Sequence, residues 1–371
     1  MPQPRLIQLD LLRAIAIFLV LGNHLSPCPP QISSFFHYLT RFWFFGGWVG
    51  VDLFFVLSGF LISGLLFREY QKYNNLDLKR FLIRRGLKIY PSFYILIVVT
   101  VIFAPYFAKE IPVKNFLAEL FFVQNFFGRL WGHTWSLAVE EHFYFGFAFL
   151  SFLLLKFQPR KDNPFISIPY CFVFFAIVCF TLRALMAIYK GTSIGLTFFR
   201  VDALFFGVLI SYYWHFHSLG KDLFFKRDNA YLILLGLILF LPPFFFHSLV
   251  NPWFFVFGMT TNYIAGGCLL LGFLNTKFAN SPITNFVAYI GTYSYSLYLW
   301  HLPFQHWIVR PMLNQLGFEN WFIYAGSYLG GSIVIGVLFA KIIEYPILGL
   351  RDKYFARKSF AIADNTEIES S

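Results

Sequence analysis

The chain has 371 residues, of which 58% are hydrophobic and only 13% charged, with a mean hydropathy of +0.63. Soluble domains carry about a quarter charged residues, so a soluble globular core is excluded. The formal net charge of +11 is dispersed between apolar runs, which fits membrane topology and lipid headgroups and argues against a nucleic-acid partner.

Apolar stretches long enough to span a bilayer recur from end to end and predict an all-α, polytopic transmembrane helix bundle. We read about ten spans, near 6–25, 44–67, 87–108, 137–156, 166–188, 197–216, 230–248, 253–274, 286–308 and 322–343. The short apolar stretch 114–128 is expected to lie in the interface or to re-enter the bundle. Residues 1–350 form the transmembrane domain and 351–371 a polar cytoplasmic tail, with no repeat, no low-complexity linker and no room for a separate soluble domain. The first apolar stretch lacks a small-residue cleavage site and runs into Pro27, Pro29 and Pro30, so it is expected to stay as a helix. Cys28, Cys171, Cys179 and Cys268 have neither metal nor disulfide spacing, and no metal site is expected.

Basic residues crowd onto one side of this partition: Arg5, the run from Arg68 to Lys88, Lys156 to Lys161, Lys221 to Arg227, Lys277, and Lys341 to Lys358. Arg41, Lys109, Lys114, Arg129, Lys190, Arg200 and Arg310 remain for the other side. The richer side should be cytoplasmic, with both termini inside.

Four segments carry ionisable groups within or at the ends of the expected spans. In the first span, Arg13 and His24 are eleven residues apart, about 16 Å along a helix and within about 20° of one face. Asp10, three residues before Arg13, can orient it. The spacing equally fits an arginine snorkelling inward and a histidine at the outer interface. Gly46–Leu61 places Asp52 at the outer end of the second span, where it can pair with His24 or simply complement the helix dipole. Phe81–Tyr94 gathers Arg84, Arg85 and Lys88 at a cytoplasmic mouth, a group suited to phosphates and also to a plain positive-inside anchor. In Trp135–Tyr144, Ser136, Glu140 and Tyr144 fall at four-residue steps on one face. Glu140 can bind an acceptor hydroxyl or tune His24, while Glu141 is expected to remain hydrated. Hydrogen bonding between helices would account for the same pair.

In order along the chain, these segments resemble the membrane-bound acyltransferase-three superfamily, whose members O-acylate glycans, peptidoglycan or small natural products. The arginine-ten-residues-histidine motif is Arg13 and His24. The Gly-Val-Asp-Leu-Phe-Phe-Val-Leu-Ser-Gly-Phe segment is 50–60, and the Trp-Ser-Leu-x-x-Glu-x-x-Phe-Tyr motif is 135–144. Residues 81–93 nearly match the family's arginine-rich motif, with Lys88 for its third arginine and Phe93 for its tyrosine. The stretch 294–301, ending in His301, and Glu344-Tyr345-Pro346 also resemble family segments. The match runs from about residue 6 to 346. A proline usual after the Phe-Tyr pair is absent from 145–148, for which only a local helix difference is expected.

The resemblance implies an O-acyltransferase of the bacterial inner membrane. It binds no cofactor and uses acyl-CoA, in the simplest case acetyl-CoA, as co-substrate. Its acceptor is a carbohydrate or lipid-linked glycan. Arg84, Arg85 and Lys88 would hold the phosphates of acyl-CoA, and Arg13 would steady the thioester. His24 would act as general base, oriented by Asp52 or Glu140; a covalent acyl-histidine is the lesser variant. Ser136, Tyr144 and His301 are candidate acceptor-contacting or supporting residues, and interhelical hydrogen bonding accounts equally for His301. Arg200 and Asp202 are expected to be structural or to touch the acceptor. Relatives often carry an esterase-like domain. Without one, the chain would transfer the group directly or pass it to a separate extracytoplasmic protein. A transporter for a modified glycan or small acid is the alternative, opposed by the lack of inverted repeats and of paired broken spans.

Overall fold

The computed structural model describes residues 6–107, 110–157, 163–189, 191–217, 229–246, 251–317 and 319–356. Among them there is no strand. The long helices are α1 (Ile7–His24), α3 (Val49–Tyr73), α4 (Leu78–Phe103), α7 (Trp135–Phe157) and α8 (Ile168–Tyr189). A π turn at Phe254–Gly258 leads into α12 (Met259–Leu274), and α16 (Trp321–Phe339) runs through another into α17 (Tyr345–Tyr354). These seven are long and apolar enough to cross a membrane, and the chain is a membrane-embedded helix bundle.

The other three expected spans are helical but shorter or broken. They are α9 (Val201–Phe216), the pair α10 (Asn229–Leu239) and α11 (Pro242–Phe245), and α13 (Pro282–Thr292) followed by α14 (Ser294–Phe304). The stretch 114–128 forms two short helices, α5 (Val113–Leu120) and α6 (Gln124–Phe127), and α2 (Ser34–Gly46) and α15 (Arg310–Gln315) lie in other connections. Between α5 and α6 Phe122 adopts φ 56°, and its ring stacks on Phe93 with centroids 4.4 Å apart. Despite the missing proline, α7 continues unbroken past Phe147. The expected boundary at 350/351 falls inside α17, and residues 357–371 of the expected tail lie outside the described residues.

Helix α3 is the most buried span and α8 the least, so the bundle is built around α3 with α8 turned to lipid. Small residues make the central crossing possible. A Cβ on Gly59 would lie 1.9 Å from the Leu204 carbonyl oxygen, and one on Gly207 would lie 2.2 Å from that of Val56. The α3 and α9 backbones are therefore in direct contact, the close approach that drives helix association where no hydrophobic effect operates. Gly50 performs the same service against α1, where a Cβ would stand 2.3 Å from the Ala16 carbonyl oxygen. Helix caps are local: the side chain of Asp77 accepts from the Arg80 amide, and that of Asn320 from Phe322, satisfying amides that have no partner within the helix.

Candidate active site

A cavity of about 760 Å³ opens between α1, α3, α4, α7 and α14, within the size range of small-molecule sites. Arg13, Arg84, Arg85, Lys88 and Arg351 line it. Arg13 is held by Asp10 at 3.0 Å, the pairing their spacing predicts. Arg84 bonds Asp352 at 2.9 Å and the carbonyl of Phe355, so α17 packs onto the basic rim. Arg85 lies over the ring of Tyr144, 5.7 Å from its centroid. Lys88 sits close to Arg13, Arg85 and Arg351, with Glu344 as its acidic neighbour. A surplus of cations around an apolar shaft is costly in a bundle, and an anionic ligand removes the cost.

Ser136, Glu140 and Tyr144 all line the cavity, as their shared face requires. Glu140 accepts hydrogen bonds from Ser58 at 3.1 Å and Tyr144 at 2.5 Å. This differs from the expected role of tuning His24: the carboxylate is engaged on the cavity wall. Glu141 also departs from expectation. It is buried and accepts from Tyr90 at 2.9 Å rather than remaining hydrated.

Ser136 and Tyr298 also line the cavity, and their hydroxyls are 2.5 Å apart. Tyr298 also donates to the His133 carbonyl at 2.7 Å. Behind it stand three imidazoles. The His133 and His301 rings are 5.1 Å apart, and His24 and His301 also 5.1 Å. His133 and His301 are fully buried, whereas His24 is half-buried. Arg13 thus lines the cavity, whereas His24 is not part of its lining and stands with His301 and His133.

His133 escaped the sequence reading, although one signal in the chain bears on it. Pro303 lies inside α14, and a helical proline leaves the carbonyl four residues earlier without its amide partner. That carbonyl belongs to Leu299, and His133 Nε2 donates to it at 3.1 Å. The loop carrying His133 is in turn fixed by Glu119, which accepts from the Leu130 amide at 2.9 Å and the Thr134 hydroxyl at 2.7 Å. Burial raises the Glu119 carboxyl above its ordinary range. Burial likewise pushes the His133 imidazolium down to about 3, so its ring is neutral.

Asp52 is not beside His24. Its carboxylate meets Arg200 at 2.5 Å and Asn262 at 3.1 Å. Helix geometry explains the difference: Gly50 faces α1, and two residues rotate the helix by about 200°, turning Asp52 toward α9 and α12. Next to this pair, Arg183 bridges to Asp202 at 2.8 Å and donates to the Phe199 carbonyl at 2.7 Å and Thr260 at 3.0 Å. All four charged side chains are 1% exposed. Arg200 also lies over Phe55 and Trp135. Arg200 and Asp202 are therefore part of the packed interior. Among the described residues, no group of three or more His, Cys, Asp and Glu is arranged to hold a metal ion.

Comparison with known proteins gives these features a family. The profile described as "Acyltransferase domain" matches residues 6–341. The peptidoglycan O-acetyltransferase OatA of Listeria monocytogenes is 28% identical over 91% of this chain and 55% of its own length. The O-acetyltransferase OatA of Staphylococcus aureus is 30% identical over 73% of this chain and 48% of its own length. A putative O-acetyltransferase of the same species is 30% identical over 79% and 49%. The chain spans about half the length of the curated relatives it matches. No solved structure matches. With the family profile covering nearly the whole bundle, the chain belongs to the acyltransferase-three family of membrane-embedded acyltransferases.

Proposed function

We propose that the protein is a membrane O-acetyltransferase that moves an acetyl group from acetyl-CoA to a hydroxyl of a glycan, with peptidoglycan as the acceptor class. The observation that carries this reading is the continuity of one cavity from the cations Arg13, Arg84, Arg85, Lys88 and Arg351 to the Ser136–Tyr298 hydroxyl pair, with the histidines directly behind. Phosphates of the nucleotide end pair with the rim, where the arginines supply bidentate donors and Lys88 a point charge. The pantetheine arm lies along Leu57, Leu61 and Ile89 and brings the thioester to Ser136 and Tyr298. Tyr298 keeps its proton on the His133 carbonyl, and the Ser136 hydroxyl turns from Tyr298 to donate to the charge developing on the thioester oxygen. His24, the half-buried imidazole, takes the proton of the incoming acceptor hydroxyl.

The excess of Lys and Arg at the cavity mouth supports a cytoplasmic orientation for that end, in the membrane of a bacterial cell. The acceptor then approaches from the opposite face, either directly or by way of an extracytoplasmic acyl-carrying protein. OatA of Listeria, named for peptidoglycan O-acetylation, supports that acceptor class.

Purified full-length protein incubated with radiolabelled acetyl-CoA and peptidoglycan fragments tests the reading. CoA should be released in step with label entering an alkali-labile ester. His24→Ala should abolish transfer while leaving insertion and thermal stability intact. Wild-type protein that neither binds nor consumes acetyl-CoA would sink the proposal, and transfer retained by His24→Ala would remove His24 from it.

A further inference from the structure

Helix α17 carries no buried side chain, so burial contributes little to holding it against the bundle. Its far end is tied to arginines of the cavity wall instead. Arg84 Nη2 donates to Asp352 Oδ1 at 2.9 Å, and Arg84 Nη1 donates to the Phe355 carbonyl. Arg80 Nη1 donates to the Ala356 carbonyl at 3.4 Å. Arg351 donates to Asp352 through Nε at 3.0 Å and through Nη2 at 3.1 Å. All three arginines line the cavity.

The terminal nitrogens of a guanidinium form the fork that grips a phosphate, and on Arg84 one short segment supplies an oxygen to each. A carboxylate and a carbonyl thus serve the fork as two phosphate oxygens would. The hold is weak, because the Asp352 side chain is 57% exposed and exposed ion pairs contribute little. Segments without buried apolar contacts open at low cost. A phosphate brings more charge and more acceptor oxygens than the pair it replaces.

We propose that residues 351–356 are a latch that competes with the phosphates of CoA for Arg84, opening as the donor binds and closing as CoA leaves. The inference rests on the acyl-CoA reading above. The reaction gives the latch its use: the acetyl group departs, but every phosphate of the donor remains on the product. Cations that grip donor and product equally do not speed the chemical step, and they slow the release of CoA. An internal competitor that re-engages Arg84 weakens both bound states by the same factor and shortens the stay of the product.

Asp352→Asn keeps the shape of the side chain and removes its charge. In the full-length protein it should lower the KM for acetyl-CoA and the inhibition constant of product CoA together, by about two- to five-fold. S-acetylpantetheine, a donor without phosphates, should keep its parent KM. In an Arg84→Ala background the substitution should lose most of its effect. Unchanged constants for acetyl-CoA and CoA, an equal fall for S-acetylpantetheine, or a full-sized effect without Arg84 overturns the latch. The wild-type protein gives a second measurement. Its Phe355 amide donates to the Arg351 carbonyl at 2.8 Å, and saturating CoA should speed hydrogen exchange across residues 352–356. This measurement decides if Asp352→Asn does not fold. Wild-type protein that binds no CoA refutes the acyl-CoA reading itself. CoA binding with level or slower exchange refutes the latch alone.

Discussion

Two groups of charged residues inside this bundle have opposite characters. Around Asp52, Arg183, Arg200 and Asp202, two acids face two arginines, every side chain is sealed from solvent, and neighbouring carbonyl, hydroxyl and amide groups complete the bonding. Around the cavity the wall carries eight Arg and Lys side chains, from Arg13 to Arg351, against two acids, Glu69 and Glu140, and Asp10, Asp352 and Glu344 outside the wall offset only part of that surplus. The contrast separates charges that balance one another inside the protein from charges left for a ligand to balance. A balanced cluster buried in this way supports the packing of the helices that carry it. Asp52 illustrates the point: it stands in a family-like segment, but its contacts are those of a helix clamp.

Removing one partner should separate the two groups most sharply. Arg200→Leu leaves Asp52 buried without its counter-ion, a change that costs about 3–5 kcal/mol. It should lower the thermal unfolding midpoint and the yield of monodisperse protein, with donor binding lost only as the fold is lost. The double variant Asp52→Leu/Arg200→Met should recover much of that stability. A stable Arg200→Leu with a selective loss of turnover would instead put this cluster in the chemistry.

At the cavity, Arg85→Ala should do the reverse. Losing one charge-assisted contact of about 1.5–3 kcal/mol raises the KM for acetyl-CoA by roughly 10- to 150-fold on the usual conversion, with the unfolding midpoint nearly unchanged. Added salt should weaken donor binding in the parent and do so less in the variant. An unchanged KM would break the distinction between the two clusters.

Lys88→Arg is the finer probe. It restores the residue that related motifs carry and adds a planar donor pair, so a fall of a few-fold in the donor KM is expected in a titration against acetyl-CoA. The smallest effect belongs to Glu119→Gln. Burial raises the Glu119 carboxyl in the folded state, so the folded protein holds that proton more tightly than the unfolded chain. Its contribution to stability is therefore greatest at low pH and declines as pH rises above the ordinary carboxylate range. Thermal melts across pH should show the glutamine variant gaining slightly on the parent as pH increases. A parent whose advantage grows with pH would reverse that sign.

Much of this was legible in the chain because membrane helices announce themselves by length and apolarity. The Arg13–Asp10 bridge and the common face of Ser136, Glu140 and Tyr144 follow from helical periodicity within a single element. What periodicity could not supply was the direction in which one helix turns relative to another. Asp52 faces α9 because Gly50 faces α1, a fact set by backbone contacts between segments far apart in sequence. Arg183, on the most lipid-exposed helix, drew no attention because its partners lie on α9 and α12. His133 was hidden for a related reason: it sits in a loop, and the carbonyl it completes was released by a proline 170 residues later.

The Ser136–Tyr298 contact has a further consequence for the protein as part of a membrane. A shaft that carries water and ions into the bundle is an electrical extension of the compartment onto which it opens. The insulating layer is then no longer the full bilayer but the short septum around Tyr298. The membrane potential falls mainly across that septum, about 2.3 kcal/mol per elementary charge for each 100 mV. If the proposed transfer carries charge from one side of Tyr298 to the other, that charge moves through a concentrated field, and turnover measured in sealed vesicles should then depend on the membrane potential.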